Sequence, residues 1–425
     1  MSAPMSASTR ILIALLAGLG IGIALAAAAP AWLPTVIAVA EPIGNVWLDA
    51  LRMTIIPLVF SLLVSGIAST AASNTAGNLA TRALVLFIVL LFVGALLGEL
   101  VVSGFLNLWP IPPAAAEAMR AGMVAKGTAV APAIASVSEW LRAIVPTNPI
   151  KSAADGEMLP LVIFATIFGF AVTRIAPRYG KLLADFFQAM VEAMLVIVQW
   201  VILVAPVGVF ALALVLGARA GIAAAGALAH YLFLLVGVQV FLIALIYPLT
   251  MLAARLPLLR FARVVAPAQA VATSTQSSLA CLPAMVESTR QLGVPAHVTA
   301  LVLPLAVSVF RITSPFANLA VVLYSASLFG TDLSLVQFLI GAGMATLMSL
   351  ASVGLPGQVS FFTSIAPICL VMGVPMGALP LLLAVETIPD IFRTIGNVTA
   401  DVAVTAVMAR HAPGESTAAF EQAPD

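Results

Sequence analysis

Runs such as ALVLFIVLLFVGALLGELVV, residues 83–102, recur along this chain; in that one Glu99 is the only charge. A helix needs about 20 largely apolar residues to cross a bilayer. Of 425 residues, 62% are hydrophobic and only 8% charged, whereas a soluble domain carries about 25% charged residues. A water-soluble globule is therefore excluded, and lipid is the expected surroundings. A net charge of +1 offers no electrostatic basis for binding nucleic acid. Cys281 and Cys369 lie in apolar surroundings and read as small core residues, and His230, His297 and His411 are scattered without ligand spacing. No cofactor and no metal site are expected. A Gly-x-x-x-x-Gly-Lys-Ser/Thr run is also missing from the sequence, so nothing points to nucleotide use.

On this criterion plain spans fall at roughly 11–29, 46–69, 82–105, 158–175, 189–216 and 226–254. The first, with its basic flank and small-residue end, also has the outline of a signal peptide; the reading here is a retained first helix. Residues 106–157 carry six prolines and several charges and read as an outside loop with short helices. Arg10, Arg82, the set Arg174, Arg178 and Lys181, and the set Arg255, Arg260 and Arg263 alternate with Lys/Arg-poor loops at 30–45 and 217–225. The positive-inside rule then places the N-terminus and the basic loops in the cytoplasm. The tail after Arg410 is polar and is expected to be disordered.

The last third changes character. Segment 265–295 is broken by TSTQSSLACLP and segment 334–372 by SLASVGLPGQVS. Irregular backbone at membrane depth survives only inside protein or against a water-filled cavity. Both segments are read as re-entrant helical hairpins, the alternative being ordinary Pro-kinked spans. Each precedes a long broken segment: 298–325, with Pro304 and Pro315 around Arg311, and 376–409, with Pro389. Hairpin plus broken span, twice, is the pattern of an inverted repeat.

The final segment, LAVETIPDIFRTIGNVTADVAV, carries Glu386, Asp390, Arg393, Thr394, Asn397 and Asp401. These positions share one helical face. Three carboxylates and a guanidinium cannot face lipid. Arg393 offers a planar fork for a carboxylate, Asp390 an acceptor for an ammonium group, and Asn397 an amide one turn on. An amine with two carboxylates fits that outline. An internal salt-bridge network that merely holds helices together is the competing reading. With Arg311 the formal count is three acids against two guanidiniums, so the excess acid takes a proton or meets a cation.

At this point the chain resembles the dicarboxylate/amino acid:cation symporter family, the glutamate-transporter family. The resemblance runs from roughly residue 10 to 410, on IPLVFSLLVSG (56–66), IVPTNP (144–149), APVGVFAL (205–212), TQSSLACLP (275–283), SVGLPG (352–357) and, most specifically, PDIFRTIGNVTAD (389–401). It implies eight transmembrane helices plus two re-entrant hairpins in an all-α polytopic fold that works as an elevator. Asp390 falls where the family binds the substrate amine, Arg393 where it binds the side-chain carboxylate, and Thr394 and Asn397 where it holds the head group. Ser277 and Ser278 match the tip of the first hairpin; Gly354, Leu355 and Pro356 match the gating tip of the second. Ser314 stands where many members have a threonine near the carboxylate, and Asp401 matches an acid that helps bind sodium.

The departures are as informative. Where members carry Asn-Met-Asp-Gly-Thr, this chain has Phe310, Arg311, Ile312, Thr313 and Ser314. Where the third span supplies hydroxyl ligands for sodium, it has Phe87, Leu90 and Leu91. Apolar groups cannot ligate a hard cation. Gln276 replaces a first-hairpin arginine common in microbial members, and Val359 a glycine of the second tip. The expectation is that Arg311 is a tethered cation standing in for sodium, with Asp401 and Glu386 as the other coupling candidates. A plain Arg311–Glu386 or Arg311–Asp401 bridge is the competing reading.

The expected division is scaffold in 1–75, transport-domain helix 3 in 76–106, scaffold in 107–225, transport domain in 226–410 and a tail in 411–425. The expected protein is a homotrimeric secondary transporter in a bacterial inner membrane with both termini cytoplasmic. It is expected to carry a small anionic substrate, an acidic amino acid such as aspartate or glutamate, without sodium coupling. A C4-dicarboxylate carrier coupled to protons or sodium, or a non-transporting sensor, is the alternative. An intramembrane enzyme is disfavoured, because Ser277 and Ser278 have no histidine nearby in the chain and no core span contains lysine.

Overall fold

The computed structural model describes residues 7–28, 30–73, 78–122, 146–155, 158–351 and 357–410, and among these every regular element is helical. The first half comprises α1 (Ala7–Ala28), α2 (Leu33–Arg52), α3 (Ile55–Ser73), α4 (Asn78–Leu108), α5 (Pro113–Gly122), α6 (Pro149–Ala154), α7 (Met158–Val172), α8 (Pro177–Leu203) and α9 (Ala205–Ala220). The second comprises α10 (Ile222–Ala254), α11 (Leu258–Thr275), α12 (Leu282–Gln291), α13 (Ala296–Val309), α14 (Thr313–Phe329), α15 (Leu335–Ala351), α16 (Gly357–Met372), α17 (Leu379–Val385) and α18 (Thr387–Arg410). Among the described residues, seven helical stretches are long and apolar enough to cross a bilayer, and four shorter apolar helices accompany them.

Several helix ends share one cause. Proline lacks an N–H and its ring clashes with the carbonyl four residues earlier. Pro57 lies four residues past the break at Met53, and Pro206 two past the one at Val204; Pro389 lies three past Glu386, which separates α17 from α18. Pro315 stands four residues past Arg311, inside the unwound turn between α13 and α14. Two expectations are corrected by these breaks. The stretch 30–45 is not a loop: helix runs from Leu33 to Arg52. The span placed at 189–216 is two elements, one ending at Leu203 and one starting at Ala205. The break expected within 376–409 is present, at Glu386, three residues before Pro389.

Residues 106–157 do hold short helices, α5 and α6. The α6 helix starts where the Asn148 side chain accepts from the backbone N–H groups of Ile150 and Lys151, with Pro149 at its first turn. The two interrupted segments each fold back as a helical pair, α11 against α12 and α15 against α16. In the first pair Gln276 ends α11 in the left-handed region, at φ 50°. The tip of the second pair, residues 352–356, lies outside the described residues, as do 123–145 and 411–425.

The interior falls into two main apolar clusters. One joins the N-terminal half of α4 and the end of α10 to α11, α12, α13 and α18. The other gathers α1–α3, α7, α9, most of α10 and α14–α17. In the second, α1 and α9 lie backbone to backbone. A Cβ on Gly217 would meet the Leu19 carbonyl oxygen at 2.5 Å and the Ile23 nitrogen at 3.0 Å. On the facing helix a Cβ on Gly22 would run into the Leu214 carbonyl. Small residues let helices in lipid approach this closely. A Gly217→Ile variant is expected to lose about 1–3 kcal/mol through overpacking, seen as a lower melting temperature of the detergent-purified protein. An exposed Gly20→Ile change, where a Cβ meets nothing, serves as control.

Candidate functional site

Two helix breaks shape the centre of the second half. The first is the unwound turn Phe310–Ile312, between α13 and α14; the second is the single residue Glu386, between α17 and α18, whose backbone stays helical. Thr313 joins α14 to α18. Its N–H donates to Asn397 Oδ1 at 3.1 Å, and its hydroxyl lies 2.8 Å from the same oxygen and 3.0 Å from the Arg393 carbonyl. Gly396 allows the approach, since a Cβ there would sit 2.5 Å from Thr313 Cγ2. Asn397, singled out for the head group of a ligand, thus commits its oxygen to holding α14 on α18. Thr313 was noted only as a departure from a motif; a buried hydroxyl at a helix break was the signal available. A Thr313→Val variant keeps shape and removes one donor. It is expected to weaken ligand binding about 3–10-fold, for a loss of about 1 kcal/mol, read by titration of the detergent-purified protein.

Arg393 is 3% exposed. Its Nη1 donates to Asn318 Oδ1 at 3.2 Å, and its Nη2 lies 2.7 Å from Glu386 Oε1. The Glu386 contact is an ion pair without hydrogen-bond alignment: Nε and Nη2 of the arginine and both Glu386 oxygens lack a hydrogen-bond partner. The fork therefore meets its acid by charge alone. Asn318, 1% exposed on the largely buried α14, was not anticipated; a lone amide within a membrane-crossing apolar run was the clue. Tyr231 of α10 is also buried, lies within the electrostatic reach of Glu386 and Arg393, and its hydroxyl lacks a partner.

Arg311 is half-buried and has partners of its own. It interacts electrostatically with Asp390 and Asp401 and is repelled by Arg393. Asp401 is 1% exposed, one of its oxygens has no hydrogen-bond partner, and the charge it senses is that of Arg311. Asp390 is half-buried beside Arg393 and Arg311, and its carbonyl accepts from Thr394 Oγ1 at 2.9 Å. Ser314 is 3% exposed at the start of α14 with an unpartnered hydroxyl. Ser277 and Ser278 lie half-buried in the turn between α11 and α12, and the Cys281 thiol donates to the Ser277 carbonyl at 3.2 Å. Gly354, Leu355 and Pro356 fall in the tip that lies outside the described residues.

A cation site at the first turn fits these residues poorly. The Phe87 and Phe310 rings stack at 4.9 Å with 26° between planes, and both are buried. Leu91 is fully buried in the same cluster, and Ile312 lies against Gly94. The surroundings of the first turn are thus aromatic and aliphatic groups from two elements, with Arg311 as the positive charge that Asp401 senses. Elsewhere on α18, Gln269 Nε2 donates to Thr399 Oγ1 at 2.7 Å and to Tyr247 Oη at 2.9 Å, tying α11 to α18 and α10.

Chemically, the constellation offers a guanidinium fork, a second cation, three acids and a helix N-terminus at Thr313. Such a set has the chemistry to hold a charged molecule by ion pairing and hydrogen bonds. The model of the sodium:dicarboxylate symporter family matches residues 7–411. A proton/glutamate-aspartate symporter of Escherichia coli is 28% identical over 385 residues, 89% of this chain and 86% of the relative. A proton/sodium-glutamate symport protein of Bacillus subtilis is 27% identical over 405 residues, covering 95% and 92%. A C4-dicarboxylate transport protein of Leptothrix cholodnii is 27% identical over 376 residues, covering 87% and 82%.

Proposed function

The chain belongs to the sodium:dicarboxylate symporter family, a family of transporters and not of enzymes, and on that premise we propose that it is a secondary transporter of an acidic amino acid such as aspartate or glutamate. The observation that carries this reading is Arg393, a buried fork in an unaligned ion pair, beside Asp390 on the same face of α18. A substrate carboxylate offers Arg393 the aligned bidentate contact that Glu386 does not make, and Asp390 receives the ammonium group. The names of the relatives, glutamate-aspartate and glutamate symporters among them, support the same substrate class.

A C4-dicarboxylate is the second reading. It is favoured by the Leptothrix relative's name and by the second guanidinium, Arg311. Asp390 argues against it, because a substrate without an amine leaves that acid facing only arginines.

Transport is assigned to an elevator movement of residues 76–106 and 226–410 against 1–75 and 107–225. The cluster that joins α11, α12, α13 and α18 to half of α4 supports one moving body. The larger cluster crosses the division and would then contain the sliding face. The protein is placed as a homotrimer in a bacterial inner membrane, both termini cytoplasmic, and its transport as independent of sodium. Asp390, Arg393, Thr394, Asn397, Ser277, Ser278, Ser314, Gly354, Leu355 and Pro356 are assigned to the substrate, and Arg311, Asp401 and Glu386 to coupling.

The test is uptake and exchange of labelled aspartate, glutamate, succinate and fumarate by the purified protein in proteoliposomes, in sodium, potassium and choline buffers. Accumulation or exchange of aspartate in all three is expected. Saturable binding with neither accumulation nor exchange would make the protein a sensor and overturn the reading.

A further inference from the structure

We propose that Glu99 of α4 is a proton-binding site apart from the substrate site, and that the moving part of the protein crosses the membrane only while Glu99 holds its proton. The inference rests on the transporter reading above and adds a proton requirement at a residue that reading leaves without a role.

Glu99 is the only charged residue in 83–108. It lies about 13 Å along the axis of α4 from Leu108 and about 26 Å from Arg82, at depth in a span of about 30 Å. The side chain is 6% exposed, and its Oε1 is buried without a hydrogen-bond partner. Ala95, four residues before, and Val102, three after, share its face of the helix and are fully buried. An ionised carboxylate in such a place costs far more than the neutral acid.

No neighbouring element supplies a cation. The helix packs against α10, α13, α14 and α15. The last of these carries no titratable group. On α14 the candidate is Tyr324, whose hydroxyl donates to the Ala227 carbonyl at 2.7 Å. On α13 it is His297, in the first turn. Three stand on α10. His230 Nε2 lies 3.1 Å from the Trp109 carbonyl oxygen, Tyr231 faces Glu386 and Arg393, and Tyr247 accepts from Gln269. Arg311, in the turn before α14, engages Asp390 and Asp401. Among the described residues no charged side chain lies within electrostatic reach of Glu99, so a proton is what neutralises it.

The place of Glu99 in the fold ties that proton to movement. Beside it, Gly98 lets α4 and α14 touch: a Cβ there would lie 3.2 Å from the Phe316 Cα and 3.2 Å from its carbonyl oxygen. One turn earlier Gly94 faces Ile312 of the unwound turn. Glu99 therefore stands beside the first turns of α14, which carry Thr313, Ser314 and Asn318. Ala95 and Val102 belong to the larger apolar cluster, together with Phe316 of α14 and Ala342 and Ala345 of α15. On the transporter reading that cluster contains the sliding face. A charge cannot be drawn through a dry apolar seam without a large barrier. When packing loosens at either end of the movement, water reaches Glu99 and lets it ionise; one proton must return to the carboxylate before the seam closes. The requirement is the same with and without substrate. It sets the rate of the movement and adds no proton to the stoichiometry.

The experiment uses the full chain in proteoliposomes with equal pH on both sides and labelled aspartate as probe. Exchange of aspartate by the unaltered protein is expected to slow about tenfold or more between about pH 5 and about pH 8, as the exposed acid loses its proton. Glu99→Gln copies the neutral acid in shape and cannot ionise. It is expected to exchange aspartate at the acid-limit rate throughout that range, while titration of the detergent-purified variant shows unchanged aspartate affinity. Glu99→Asp should keep the pH dependence. Exchange by the unaltered protein that does not vary with pH would overturn the proposal, and that result needs no variant to fold. So would a Gln variant that slows with rising pH as the unaltered protein does, or one whose only change is weaker aspartate binding. Absence of any aspartate transport by the unaltered protein defeats the transporter reading, and this one with it.

Discussion

Arg393→Ala is expected to abolish accumulation of aspartate and glutamate and, by itself, to make the protein hard to isolate. Two effects are bundled in that variant. Losing a buried charge-pairing partner costs a ligand about 2–5 kcal/mol, which is about 30-fold to several thousandfold in affinity. The same change strands Glu386, and an uncompensated buried charge destabilises the fold by about 3–5 kcal/mol. A double change, Arg393→Ala with Glu386→Ala, removes both members of the pair and is expected to recover most of the melting temperature. It is expected not to recover binding of any acidic substrate. Arg393→Lys separates charge from shape: it keeps a cation for Glu386 but has no fork, so stability should survive while affinity falls about tenfold or more. Titration of the double variant with aspartate is decisive. Native affinity there would remove Arg393 from the substrate site.

Much of the site was legible because charge in a bilayer is so costly that each charged residue has to be explained. Glu386, Asp390, Arg393, Asn397 and Asp401 stood out on one helical face in the sequence, and all are at least half-buried in the structure. What the sequence hid were partners supplied by other elements. Asn318 and Tyr231 sit 75 and 162 residues away from Arg393 in the chain, on helices whose apolar runs make a scattered polar group easy to pass over. Periodicity along one helix says which face is polar; it is silent on which neighbour meets that face.

Element boundaries show a similar limit. Hydropathy located nearly every apolar run but merged residues 189–216, because Val204-Ala205-Pro206 remains apolar while its backbone ladder is interrupted. The stretch 30–45 contains three prolines and an acid and was taken for a loop. Pro34 sits in the first turn of α2, where no N–H is needed, and Pro42 is absorbed within it.

The departures from the family motif gained most from the structure. Phe87 and Phe310 belong to different spans, and as letters in a sequence they were two separate losses. In space they form one stacked pair at the unwound turn that carries Arg311. That single packing unit takes up what two losses leave, and it gives Arg311 a reason to be a charged residue in an apolar turn.

From this follows the largest coupling effect. Arg311→Met is expected to eliminate aspartate uptake in sodium, potassium and choline buffers alike. Sodium cannot rescue the variant, because the side chains of Phe310, Ile312 and Phe87 offer no hard oxygen ligands and the two phenylalanine rings already pack against each other. The change leaves Asp401, 1% exposed, without the cation it senses, at a cost of about 3–5 kcal/mol. Loss of folding therefore has to be separated from loss of function. Arg311→Met combined with Asp401→Asn removes the stranded acid, and is expected to recover the melting temperature and partial aspartate binding. A merely structural Arg311–Asp401 bridge predicts full transport in that double variant. A tethered cation that also balances the substrate predicts binding weakened about tenfold or more. Unchanged uptake by Arg311→Met alone, or uptake by the unaltered protein that collapses when sodium is withdrawn, would show that the guanidinium does not take the place of the ion.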